Sequence, residues 1–146
     1  MTATVTARRI EDMRLGDQAS VTNTVTERDI ERFAEVSGDT NPVHLDEAYA
    51  AGTVFKGRIA HGMLGASFIS AVLANRLPGP GTIYLSQSLA FKAPVRIGDE
   101  VTTTVTVKDI DVARRRLTLD TVCAVGERVV IEGEAVVMLE RRKETV

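Results

Sequence analysis

The sequence predicts an α+β domain in which a curved antiparallel sheet wraps around one long buried helix. Three observations lead there. The stretch from His61 to about Leu77 is the longest apolar run, and it stops at Pro78-Gly79-Pro80-Gly81, which no helix survives. After it the hydrophobic period changes to two in four successive segments. The chain has 146 residues, of which 44% are hydrophobic, enough for one domain, 1–146, with a real core.

Ala19–Val25 alternates and reads as a first strand. Thr26-Glu27-Arg28-Asp29 resembles a capping box with Asp in place of Glu. Ile30, Phe33 and Ala34 then recur at helical spacing, which predicts a helix over 27–36 that Gly38 ends. An irregular loop follows, then a helical turn near Asp46–Ala51 with Gly52 as its cap. The run from His61 is apolar on nearly every face, so it reads as a helix buried on all sides. Ile83, Leu85, Gln87, Leu89 and Phe91 alternate and predict one strand. Val101–Val107, Leu117–Val125 and Val129–Leu139 alternate likewise, with turns at Gly98-Asp99, near Asp109–Ala113 and at Gly126-Glu127.

Composition removes several function classes. Net charge is −2, from 18 basic and 20 acidic residues, which argues against a nucleic-acid surface. Aromatics are 4% and Trp is absent, so aliphatic side chains must fill the core. The single cysteine, Cys123, lies in an alternating apolar segment and reads as core. Met1–Met13 carries no apolar leader core, and Met63–Ala74 is too short to span a bilayer, so a cytoplasmic enzyme is the simplest expectation. No glycine-rich phosphate loop is present.

The chemistry concentrates in Ser37-Gly38-Asp39-Thr40-Asn41-Pro42-Val43-His44. Gly38 opens unusual backbone angles, while Pro42 fixes its own φ and biases Asn41 toward extended geometry. Such a loop can hold the Asp39 carboxylate and the His44 imidazole on one water and move protons near neutral pH. The plainer reading of the same string is a polar turn with Asp39 and Asn41 capping backbone groups. Downstream stand Gly57-Arg58-Ile59-Ala60-His61-Gly62-Met63, then Tyr84 through Val95, then Gly98-Asp99-Glu100-Val101.

From about Val25 to Met138 this order of blocks resembles the MaoC-like, (R)-specific enoyl-CoA hydratases (hydratase 2) of the hot-dog fold. It looks closest to the short single-domain members that feed polyhydroxyalkanoate synthesis. The resemblance implies reversible hydration of a trans-2-enoyl-CoA to an (R)-3-hydroxyacyl-CoA, with no metal or redox cofactor. It implies Asp39 and His44 as the dyad that brackets the attacking water, without saying which member takes the proton. It also implies a homodimer joined edge to edge, and acyl chains of short length.

Gly62, at the predicted start of the long helix, would offer N–H groups to a developing oxyanion, the reading the His-Gly-Met match favours over one of merely relieving crowding there. Ser70 lies eight positions beyond Gly62 and would support the dyad, or simply bond back to its own helix; Ser67 is the weaker alternative. Phe33, Tyr49, Phe55, Leu64, Phe68 and Leu85 are expected to line the acyl pocket. His61 could line the site or be structural. With only 2 histidines and one distant cysteine, a zinc site is poorly supported. Lys56, Arg58, Lys92 and Arg96 could meet CoA phosphates, but solvated charge is the plainer reading, as it is for Arg114-Arg115-Arg116. Three other functions stay open: dehydration of acyl-carrier-protein thioesters, thioester hydrolysis, and a non-catalytic acyl-binding subunit.

Overall fold

The computed structural model describes residues 8–142. The first seven residues, part of the segment expected to lack a leader, lie outside them. After a short 3-10 turn at Ile10–Asp12, β1 (Gln18–Thr24) enters the sheet with alternating exposure. The remaining strands are β2 (Ile83–Gln87), β3 (Ala90–Phe91), β4 (Glu100–Asp111), β5 (Arg116–Val125) and β6 (Arg128–Met138). All pair antiparallel in the order β1-β4-β5-β6-β2, with β3 also on β6.

α4 (Gly62–Asn75) packs on the concave face. Its Ile69, Val72 and Leu73 share one core with Val101, Val105, Leu117, Leu119 and Val137, all essentially removed from water. Burial of such side chains contributes roughly 1.5–3 kcal/mol each and is the main force closing the sheet on the helix. Cys123 belongs to this core, and burial raises its thiol pKa. Among the described residues no helix is long and apolar enough to cross a membrane.

Four expectations need correction. α4 is not buried on all sides: Met63 is 54% exposed, and Ser67, Ser70, Ala71 and Ala74 share its uncovered face. The strand expected over 83–91 is broken into β2 and β3. At the break Ser88 crosses so close to β6 that a Cβ on Gly133 would lie 1.8 Å from the Ser88 carbonyl oxygen. Ser88 instead exchanges bonds with Glu134, donating its N–H to the Glu134 carbonyl (2.9 Å) and accepting the Glu134 N–H at Oγ (2.9 Å). The alternation in β2 does not mark a buried face, because β2 is an edge strand and Ile83, Tyr84 and Leu85 are all exposed. Finally, β4 runs through Asp111 with a register shift between Val107 and Asp109, so the turn falls at 112–115 rather than near Asp109–Ala113.

α1 (Glu27–Ser37) starts as its sequence predicts. The Thr26 hydroxyl accepts the Asp29 N–H (3.1 Å), and the Asp29 carboxylate accepts the Thr26 N–H (2.9 Å). Gly38, at φ 77°, closes it by donating to the Ala34 carbonyl. These two ends aim the following segment at the mouth of the sheet.

Candidate active site

The segment after Gly38 is more regular than expected. Asn41 caps a single helical turn, α2 (Pro42–Leu45), by accepting the Val43 N–H (3.2 Å), and Pro42 occupies the first helical position. His44 therefore sits on a helical turn and not in an open loop. Asp46 ends α2 and caps α3 (Glu47–Ala51) by accepting the Tyr49 N–H (3.1 Å).

The segment 58–60 then holds α2 in place. Ile59 donates its N–H to the Val43 carbonyl (3.3 Å), and Ala60 donates to the Val95 carbonyl (2.7 Å), tying this segment to the sheet side. Arg58 donates from Nε to the His44 carbonyl (2.7 Å) and from its guanidinium to Glu27 (2.8 Å), with its own side chain only 10% exposed. The expectation of a solvated Arg58 is thus corrected: the residue braces α2 against α1. No motif in the sequence distinguishes it from the other flanking cations. Lys92 pairs with Glu132 (3.3 Å) at the surface, and Arg96 reaches the Phe55 carbonyl.

His44 is buried, and its Nδ1 lies 2.8 Å from the Ile59 carbonyl oxygen. A carbonyl only accepts, so Nδ1 carries the proton and Nε2 keeps the lone pair. Burial lowers the His44 pKa most; the Ile59 hydrogen bond raises it, the neighbouring His61 lowers it, and Asp39 raises it. The net direction is downward, so His44 is a neutral base at neutral pH. Asp39 is exposed, and its Oδ1 accepts the Asn41 N–H (3.3 Å) in the turn the plainer sequence reading foresaw. One carboxylate oxygen of Asp39 and one ring nitrogen each of His44 and His61 lie within 4.8 Å of one another. That spacing suits a single bridging water. Metal binding would require in-plane lone pairs to converge, whereas the two rings are stacked at 3.9 Å and 28°.

Asp39 and His44 line a cavity of about 470 Å³ between α4 and the sheet. Asp39, His44, His61 and Gly62 form its polar end. Phe55, Leu64, Phe68, Phe91 and Ile131 supply apolar wall. Gly62 is the first residue of α4, where backbone N–H groups have no acceptor one turn earlier. A Cβ there would sit 2.7 Å from the Phe91 ring, so a larger residue would have to displace that ring. Three of the six residues expected around the acyl chain, Phe55, Leu64 and Phe68, therefore meet in the cavity that holds the dyad. Phe33 and Leu85 instead line a neighbouring groove of about 520 Å³ with Met63, Ser67 and Ser70. Ser70 thus lies outside the dyad's cavity, on the exposed face of α4. Tyr49 is 53% exposed and lines neither space.

The chain matches the family described as MaoC like domain over residues 13–128. It is 59% identical, over 90% of this chain and 92% of the relative, to a protein from Rhodospirillum rubrum named (R)-specific enoyl-CoA hydratase. It is 48% identical, over 92% of this chain and 85% of the relative, to a Methylorubrum extorquens protein named 3-hydroxybutyryl-CoA dehydratase. The solved structure of the (R)-hydratase from A. caviae involved in PHA biosynthesis superposes with a TM-score of 0.86 at 43% identity, covering 88% of this chain and 98% of that one. The antiparallel sheet closed on one long helix is the hot-dog fold of these hydratases, and the chain belongs to the MaoC-like domain family.

Proposed function

We propose that this protein is an (R)-specific enoyl-CoA hydratase that adds water reversibly across the double bond of a trans-2-enoyl-CoA. The observation that carries the reading is a His44 ring nitrogen within 4.8 Å of an Asp39 carboxylate oxygen in one cavity, with Nδ1 committed to Ile59 so that Nε2 keeps its lone pair. A water donating to both acceptors has its own lone pair free for C3 of the substrate. As the O–C3 bond forms, one water proton passes to the dyad, and the dyad delivers a proton to C2. The two groups act as a coupled pair. Electron density moves meanwhile onto the thioester oxygen, and the first amides of α4 at Gly62 are the donors that would stabilise it. The apolar wall would take the acyl chain. The reading extends to a single-domain cytoplasmic enzyme supplying (R)-3-hydroxyacyl-CoA, as the PHA-linked hydratase it resembles suggests.

Incubation with crotonyl-CoA tests this. Loss of the conjugated double bond with formation of the (R)-3-hydroxy product is expected. Release of free CoA thiol with the double bond intact would instead make the protein a thioesterase.

We further propose that the active unit is a homodimer. Exposed Ile83 (49%), Tyr84 (39%) and Leu85 (43%) on edge strand β2 adjoin the uncovered α4 face with Met63 (54%). An unpaired edge beside an apolar groove is a surface proteins usually cover. A second copy joined at this edge would cover Ser70, with CoA touching both chains. Light scattering at assay concentration should give twice the monomer mass; a fully active monomer would overturn the assembly.

A further inference from the structure

We infer that His61 is a positioning residue for the dyad, tying the Asp39 main chain to the start of α4 through its Nε2–H. The inference rests on the hydratase reading above. His61 is 3% exposed, and its Nε2 lies 2.9 Å from the Asp39 carbonyl oxygen. Since that oxygen only accepts, Nε2 carries the proton and Nδ1 holds a lone pair. Nδ1 is buried with no hydrogen-bond partner, alone in this respect among the described side chains. Leaving a buried polar atom unpaired is costly, so an apolar ring would serve better if the position only needed filling. The histidine is explained by what the other nitrogen does.

The tie spans the two elements that the chemistry must keep in register. Asp39 follows α1 by two residues, and its N–H donates to the Ser37 hydroxyl (3.1 Å), which itself donates to the Phe33 carbonyl (2.6 Å). His61 is the residue before α4, one position from the amides proposed to receive the oxyanion. The Nε2–H bond therefore sets the distance between the carboxylate that holds water and the helix end that holds the thioester. The ring itself stacks on His44 (3.9 Å) and meets Phe33 (4.8 Å), so it also limits how far His44 can turn about its Ile59 bond.

The side chains bearing on His44 are few. Asp39 and His61 face it, while Arg58, paired with Glu27, reaches only its backbone carbonyl. The electrostatic interaction with His61 lowers the His44 pKa and so favours neutral His44.

Three variants separate the tie from packing. In His61→Gln the amide can donate to the same carbonyl. In His61→Phe the ring remains and the donor is lost. In His61→Ala both go. With crotonyl-CoA, His61→Phe and His61→Ala should lose about 10–100-fold in kcat, the scale of an ångström-level misplacement, with KM changed by less than about threefold. His61→Gln should recover most of that loss. Equal kcat in His61→Phe and His61→Gln, or wild-type kcat in His61→Ala, would overturn the tie and leave His61 as packing.

A second readout needs no turnover. The chain has 2 histidines, so His61→Gln leaves His44 as the only imidazole in a nitrogen-15 spectrum. Its titration should move to higher pH than in the wild type, and amide exchange across 39–41 should quicken in His61→Phe but not in His61→Gln. Unchanged exchange in both would refute the tie even if the wild type hydrated no enoyl-CoA, whereas inactive wild type with the predicted exchange pattern would overturn only the hydratase reading.

Discussion

At the scale of single residues, the two members of the proposed dyad sit in different environments. Asp39 is exposed and held by turn hydrogen bonds, while His44 is buried and held by one carbonyl. Asp39→Asn and His44→Ala should each cost about 10²–10⁴-fold in hydration without unfolding the protein, since loss of a proton-transfer group has that scale. Near wild-type turnover in either variant would remove that residue from the mechanism. Because burial lowers the His44 pKa, the acid limb of kcat/KM should fall below the ordinary histidine value of 6.5. The same shift has a stability consequence of definite sign. The unfolded chain binds the His44 proton more readily than the folded one. The contribution of neutral His44 is therefore complete above 6.5 and is lost as pH falls through that value toward the lower folded one. Thermal unfolding midpoints across this window should decline toward acid, and decline less in His44→Phe. Arg58 belongs to this scale too. Arg58→Ala leaves the His44 carbonyl without its donor and should cost about 1–3 kcal/mol, measurable by denaturant unfolding.

At the scale of elements, legibility followed the strength of the local signal. The capping box at Thr26 and the left-handed end at Gly38 were readable because both are local chemistry. β4, β5 and β6 were readable because one face of each carries buried residues, and β1 because its inward face is half-buried and period two survives. β2 misled because an edge strand of apolar residues alternates without having a buried face. The break at Ser88 depends on Gly133, which is 45 positions away in sequence, and no local pattern joins them. The site behaved similarly. Asp39, His44 and Gly62 sit inside short motifs, whereas the Arg58 brace and the His61 tie are contacts between separate segments. The Ser88 crossing makes a prediction of its own. Gly133→Ala would drive a methyl into backbone, which cannot step aside as a flexible side chain can, so a loss of about 1–3 kcal/mol in unfolding free energy is expected. An unchanged midpoint would mean that the strand break is not enforced at Gly133.

At the scale of the whole molecule, sheet curvature and the single helix set the room left for substrate. The cavity beside the dyad holds about 470 Å³ and is bounded by Leu64 and Phe68 of α4, Phe91 of β3 and Ile131 of β6. Its depth is limited where Ile131 reaches across to α4: a Cβ on Gly65 would lie 2.7 Å from Ile131 Cδ1. While an added methylene finds apolar wall it contributes about 0.8 kcal/mol, close to fourfold in kcat/KM. Once the chain meets Ile131 or Phe68 it must displace packed side chains, at about 1–3 kcal/mol. The second figure exceeds the first, so specificity should peak and then fall, and we expect the peak at about four to six carbons on this balance. Measuring kcat/KM over enoyl-CoAs of increasing length tests the balance directly. Ile131→Ala and Phe68→Ala test its cause, since relieving the wall should move the peak to longer chains while leaving crotonyl-CoA turnover within about threefold. A ratio still climbing well past six carbons in the wild type would mean that the chain escapes this cavity, and the groove lined by Phe33, Ser70 and Leu85 would then be the path to examine in the dimer.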